Sequence, residues 1–117
     1  MMQKKIRKLI QDDVKVKNSL IKMQLGEIER LATAMIATIK SGNKILIFGN
    51  GGSAADSIHI AAELVGRFHR EREALPAIAL TANISTITAL TNDYNFYCIF
   101  ERQIEALGKK GDMALGI

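Results

Sequence analysis

Residues 44–68 read KILIFGNGGSAADSIHIAAELVGRF, and the order of residue types within this stretch decides the fold. Lys44 to Phe48 is short, rich in Ile and nearly continuous in apolar character, as expected of a strand covered on both faces. Gly49 to Gly52 is a glycine turn, and helical spacing follows from about Ser53 to Phe68. Downstream, Pro76 to Leu80 (PAIAL) predicts a second buried strand with Pro76 at its start. Short and longer helices are expected over Ile84–Leu90 and Phe96–Leu107, then a turn at Gly108–Asp112 and a third strand from Met113 to Ile117. Strands alternating with helices imply right-handed βαβ units on a parallel sheet. The fold class is therefore α/β, with three αβα layers. Three strands make a narrow sheet beside the usual five or six, so the chain is expected to be cut soon after its third strand begins.

Upstream of the strand the chain reads as two helices. Ile6, Leu9, Ile10, Leu20 and Met23 recur at roughly helical spacing, and Ile28, Leu31, Ala32, Met35 and Ile39 mark a cleaner second face. Ser41-Gly42-Asn43 closes that helix, with Gly42 in the position of a C-terminal cap. The expected division is a helical segment, 1–42, packing on the sheet and serving oligomerisation, followed by an incomplete α/β domain, 43–117.

Composition narrows the class of function. In 117 residues, 48% are hydrophobic, which fits a globular domain and argues against disorder. No apolar run approaches the roughly 20 residues that span a bilayer, so no membrane association is expected. The N-terminus lacks a signal peptide's apolar stretch and cleavage site. Single Cys98 can form no internal disulfide, and a cytoplasmic location is expected. The net charge of +4 comes largely from lysines near the N-terminus. No aromatic side chain among them could stack on bases, and they read as a solvated helix face, not a nucleic-acid surface.

Three features carry chemistry. A glycine turn between strand and helix converges backbone N–H groups and the positive helix end on one spot, which suits phosphate or sugar oxygens. Gly49, Gly51 and Ala54 also match G-x-G-x-x-A, but the second strand runs into Leu80-Thr81-Ala82-Asn83 without the carboxylate that holds a dinucleotide's ribose. On the following helix, Ile58, Ala61, Ala62, Val65 and Phe68 form the apolar stripe expected to face the sheet. His59, Glu63 and Arg67 fall at i, i+4 and i+8, with Asp56 off that line. His59 and Glu63 could bind a metal ion or share a proton, and Arg67 could hold a substrate oxygen; a Glu63–Arg67 surface pair beside an idle His fits the spacing equally. Thr91-Asn92-Asp93-Tyr94-Asn95 is either a turn capped by Asp93 or a loop bringing a carboxylate to a sugar hydroxyl. Cys98 is expected in the core, and His69 in a loop without a catalytic role.

With GNGGSAADSIHIAAELVGRF, PAIAL, TNDY and ALGKKGDMALGI in this order, the chain resembles the first two-thirds of bacterial phosphoheptose isomerases, enzymes of the sugar isomerase (SIS) class with a flavodoxin-like sheet. The resemblance implies a homotetramer that interconverts a ketose and an aldose 7-phosphate, supplying heptose for the lipopolysaccharide core. It implies substrate contacts from Asn50, Gly51, Gly52, Ser53, Glu63, Arg67, Asn92 and Asp93. It also implies zinc bound by His59 and Glu63, with Glu63 as the base. The family's phosphate loop, and the glutamine and histidine completing its site, would follow Ile117, so a chain of this extent is expected to be inactive alone. The resemblance leaves two alternatives: a non-catalytic SIS protein associating with the replication initiator, which Glu63 disfavours, and an isomerase of another sugar phosphate.

Overall fold

The structure, a computed structural model, describes residues 1–117. Its elements in chain order are α1 (Met2–Met23), α2 (Leu25–Lys40), β1 (Ile45–Phe48), α3 (Gly52–Val65), β2 (Ala77–Ala79), α4 (Ile84–Asp93), a 3₁₀ turn (Phe96–Cys98), α5 (Glu101–Leu107) and β3 (Met113–Gly116). The chain divides into two compact units, Met1–Ala34 and Met35–Ile117. The first unit holds α1 and the start of α2, and its apolar residues, Leu9, Leu20 and Ile28 among them, are exposed.

In the second unit β1 is central. The strand order is β2-β1-β3 and both pairings are parallel. Ile45, Leu46 and Ile47 are fully buried, as their continuous apolar run predicts. Alternation along the strand sends them to opposite faces. Ile45 and Ile47 pack with Ala61, Ile60 and Leu64 of α3 and with Met35 and Ile39 of α2. On the other face Phe48 meets Phe100, with ring centroids 5.0 Å apart. Gln103 of α5 donates from Nε2 to the Leu80 and Ile99 carbonyls at 2.9 and 2.8 Å. The sheet thus has helices on both faces, the three-layer arrangement expected of parallel strands.

The end of α2 forms as its sequence predicts. The Gly42 amide reaches the Ile39 carbonyl and the Asn43 amide the Thr38 carbonyl, at 3.0 and 3.1 Å, with Gly42 at a φ of 78°; this is a Schellman cap. Two expectations are corrected. The inward face of α3 is Ser57, Ile60, Ala61 and Leu64, whereas Ile58, Val65 and Phe68 are exposed. Apart from Ser57 both stripes are apolar, and only the sheet's position chooses between them. The long helix expected from Phe96 instead begins as a 3₁₀ turn, with α5 confined to Glu101–Leu107. That break lets Ile99 become buried at 2% exposure.

Candidate active site

The strand order places β2 and β3 on opposite sides of β1, so the chain reverses direction across the sheet at β1. In parallel α/β sheets, ligands bind outside the carboxyl end of the strands at such a switch point. The glycine turn occupies that position. Gly49 is buried, and a Cβ there would lie 2.7 Å from the Ser53 Cβ, so glycine lets the helix start against the strand end. Gly51 takes the N-cap position with a φ of 58°, a conformation that side chains disfavour. The amides of Ser53, Ala54 and Ala55 turn back to the carbonyls of Asn50 and Gly51 at 3.0 to 3.4 Å. The amides of Gly51 and Gly52 have no acceptor within the chain, and they sit at the positive end of α3. Asn50, Gly51 and Gly52 are exposed there, an arrangement suited to anionic or hydroxyl oxygens.

One turn apart on α3, His59 Nε2 lies 3.1 Å from Glu63 Oε1. Both border a cavity of about 440 Å³, together with Asp56 and Arg72; Ile60, Leu64, Phe68 and Ile117 complete its apolar wall. An imidazole nitrogen and a carboxylate oxygen, both accessible beside apolar walls, can share a proton or ligate a cation. A zinc ion held here would find two ligands in the pair. No group of three or more His, Cys, Asp or Glu side chains is disposed to hold a metal, so the remaining ligands would have to come from outside this chain.

Other expected site residues are placed elsewhere. Arg67 does not join the His59–Glu63 pair: α3 ends at Val65 with Gly66 as its cap, and Arg67 Nη1 donates to Glu71 Oε2 at 3.1 Å. The surface pair considered between Glu63 and Arg67 is therefore not formed. Asp56 lies in the cavity despite its position off the i, i+4, i+8 line, because i, i+3, i+7 spacing holds one face more closely through the helix. Asn92 and Asp93 are the exposed last residues of α4, with Asn92 Nδ2 3.3 Å from Asp93 Oδ1. Asp93 caps no helix start; Asn83 does, accepting from the Thr86 amide at 3.0 Å. Neither Asn92 nor Asp93 borders the cavity. His69 packs its ring on Phe68, centroids 3.9 Å apart. Cys98 is only partly covered and its thiol reaches the Asn95 carbonyl at 3.2 Å.

Two residues escaped the sequence reading. Arg72 gathers the carbonyls at the end of α3, and Asp112 links β1 to β3. Asp112 accepts the Lys44 amide at 3.0 Å, the Lys109 amide at 2.7 Å and the Lys44 ammonium. The Lys44 ammonium hydrogen bond, followed by the Lys44 amide, holds its carboxyl at about 2, below the ordinary 3.8. Charged residues in loops are common, and nothing in their spacing marks these two.

The SIS domain family model matches residues 10–117. The chain belongs to the SIS domain family. At 53% identity over 116 residues it resembles the phosphoheptose isomerase of Aquifex aeolicus, covering 99% of this chain and 61% of that protein. The phosphoheptose isomerase of Thermodesulfovibrio yellowstonii is 48% identical over 113 residues, covering 97% of this chain and 56% of that protein. Among solved structures, phosphoheptose isomerase from Francisella tularensis superposes with a TM-score of 0.93 at 35% identity, and that from Neisseria gonorrhoeae with 0.91 at 35%. The alignments cover 99% of this chain in both cases, and 61% and 60% of those chains respectively. This SIS domain chain thus spans less than two thirds of the length of these relatives.

Proposed function

We propose that the complete gene product is a phosphoheptose isomerase, interconverting sedoheptulose 7-phosphate and D-glycero-D-manno-heptose 7-phosphate for the lipopolysaccharide core. The observation that carries this reading is the His59–Glu63 pair, 3.1 Å apart on the wall of a cavity, on the helix that the glycine turn opens. The relatives' shared name supports it. Glu63 takes a proton from the carbon beside the ketose carbonyl; the released electron pair forms the C=C of an enediolate, and the carbonyl oxygen becomes an oxyanion. The terminal hydroxyl proton passes to that oxyanion, and Glu63 returns its proton to the former carbonyl carbon, which gives the aldose. Gly51 and Gly52 amides bind substrate oxygens. Asn50, Ser53, Arg67, Asn92 and Asp93 join the substrate contacts in the assembled enzyme. His59 and Glu63 would hold zinc, which when bound polarises the carbonyl and stabilises negative charge on oxygen. The exposed apolar residues of α1 and α2 serve a homotetramer.

Turnover of sedoheptulose 7-phosphate by the complete gene product tests the proposal, beside a Glu63→Gln variant. Gln keeps the size of the side chain but cannot take a proton, so activity should fall by about 10²–10⁴ with circular dichroism unchanged. Absence of wild-type turnover, or a variant within about threefold of it, would sink the assignment. Binding of NAD in place of the sugar phosphate would point to the dinucleotide reading that the second strand argues against.

A further inference from the structure

The end of α3 carries Glu63, and its backbone is not held by helical bonds alone. The last carbonyls of a helix have no intrahelical donor. Here the Ala62 carbonyl takes the Gly66 amide at 2.9 Å, and the Leu64 carbonyl takes the Leu75 amide at 3.0 Å. Arg72 supplies further donors. Its Nη2 donates to the Glu63 carbonyl at 2.7 Å, and its Nη1 to the Leu64, Gly66 and Glu73 carbonyls at 2.9, 3.1 and 2.9 Å. A planar guanidinium can serve several acceptors at fixed angles, and its charge suits the negative end of a helix. Arg72 also borders the cavity that His59 and Glu63 line.

We infer that Arg72 is a positioning residue for Glu63: by clamping the backbone of the last turn of α3 it fixes the carboxylate against His59 and the substrate. This rests on the isomerase reading above. Most of the guanidinium's donors are spent on backbone carbonyls, so it acts through Glu63 and not on the sugar. The effect belongs in the chemical step. A carboxylate displaced by a fraction of an ångström still permits substrate binding but meets the proton poorly, and misplacement of about 1 Å can cost 10²-fold.

The test uses the complete gene product and compares Arg72→Met, which keeps an apolar stem, Arg72→Lys, which keeps the charge without the fork, and Asp112→Asn. The last weakens the fold at the opposite, N-terminal ends of β1 and β3. Arg72→Met should lower kcat by about 10²-fold with KM within about threefold. Arg72→Lys should fall between it and wild type. Asp112→Asn should lose thermal stability while keeping kcat. If Arg72→Met melts earlier yet keeps wild-type kcat, Arg72 merely stabilises the helix end and the inference is overturned. If Arg72→Met does not fold, Arg72→Lys decides, and wild-type kcat in that variant overturns it equally. A wild type without turnover removes the isomerase reading and this inference with it, whereas an active wild type with indifferent Arg72 variants removes the inference alone.

Discussion

Gly111 shows how much a single residue can be constrained without leaving a sequence signature. It sits in the turn before β3 with a φ of 97°, and a Cβ placed on it would lie 2.0 Å from the Asn43 side-chain nitrogen. Gly111→Ala is therefore expected to destabilise the protein by about 1–2 kcal/mol from backbone conformation alone, with the side-chain clash in addition. Urea denaturation of the single variant and of Asn43→Ala/Gly111→Ala separates the two: the second substitution should recover the clash and leave the conformational cost. Equal stability of Gly111→Ala and wild type would show that the turn can be re-formed. At this scale the glycine turn at 49–52 was legible, because a turn placed between a strand and a helix has few conformations open to it. The roles of Arg72 and Asp112 were not. Each depends on hydrogen-bond partners placed by the fold, Lys44 lying 68 positions from Asp112.

Between elements, the Asp112 carboxylate does what strand pairing alone does not. It bonds the start of β1 through the Lys44 amide and ammonium, and the preceding turn through the Lys109 amide. A carboxyl held at about 2 in the folded state against an ordinary 3.8 binds fewer protons than the unfolded chain between those values. Its contribution is complete above the upper value and lost as pH falls toward the lower one. Denaturation midpoints measured from pH 5 to pH 2 should fall less steeply in Asp112→Asn than in wild type; parallel profiles would rule out this linkage. The α3 helix gives the complementary lesson. Its existence followed from periodicity, but two apolar stripes compete on it, Ile60–Ala61–Leu64 and Ile58–Ala62–Val65, and hydrophobicity does not rank them. The stripe that lies over Ile45 and Ile47 is the one that is buried.

For the molecule as a unit, the layer of α5 is tied to the sheet by one polar side chain. Gln103 is 8% exposed and donates to the Leu80 and Ile99 carbonyls, joining the end of β2 to the segment entering α5. Gln103→Leu preserves bulk but strands two buried acceptors, so a loss of about 1–3 kcal/mol is expected, read from the thermal midpoint of the complete gene product. An unchanged midpoint would mean that water or a shifted backbone replaces the amide. The sequence by itself determined the parallel α/β class, the strand–glycine turn–helix unit and the adjacency of His59 and Glu63, because all three rest on local spacing along the chain. Tertiary structure alone decided the β2-β1-β3 order, the inward face of α3, the entry of Asp56 into the cavity and the separation of Arg67 from Glu63. It also set the anchoring parts of Arg72, Gln103 and Asp112. Those are contacts between residues distant in sequence or beyond a helix end, and their energies exist only once the sheet has fixed where each element lies.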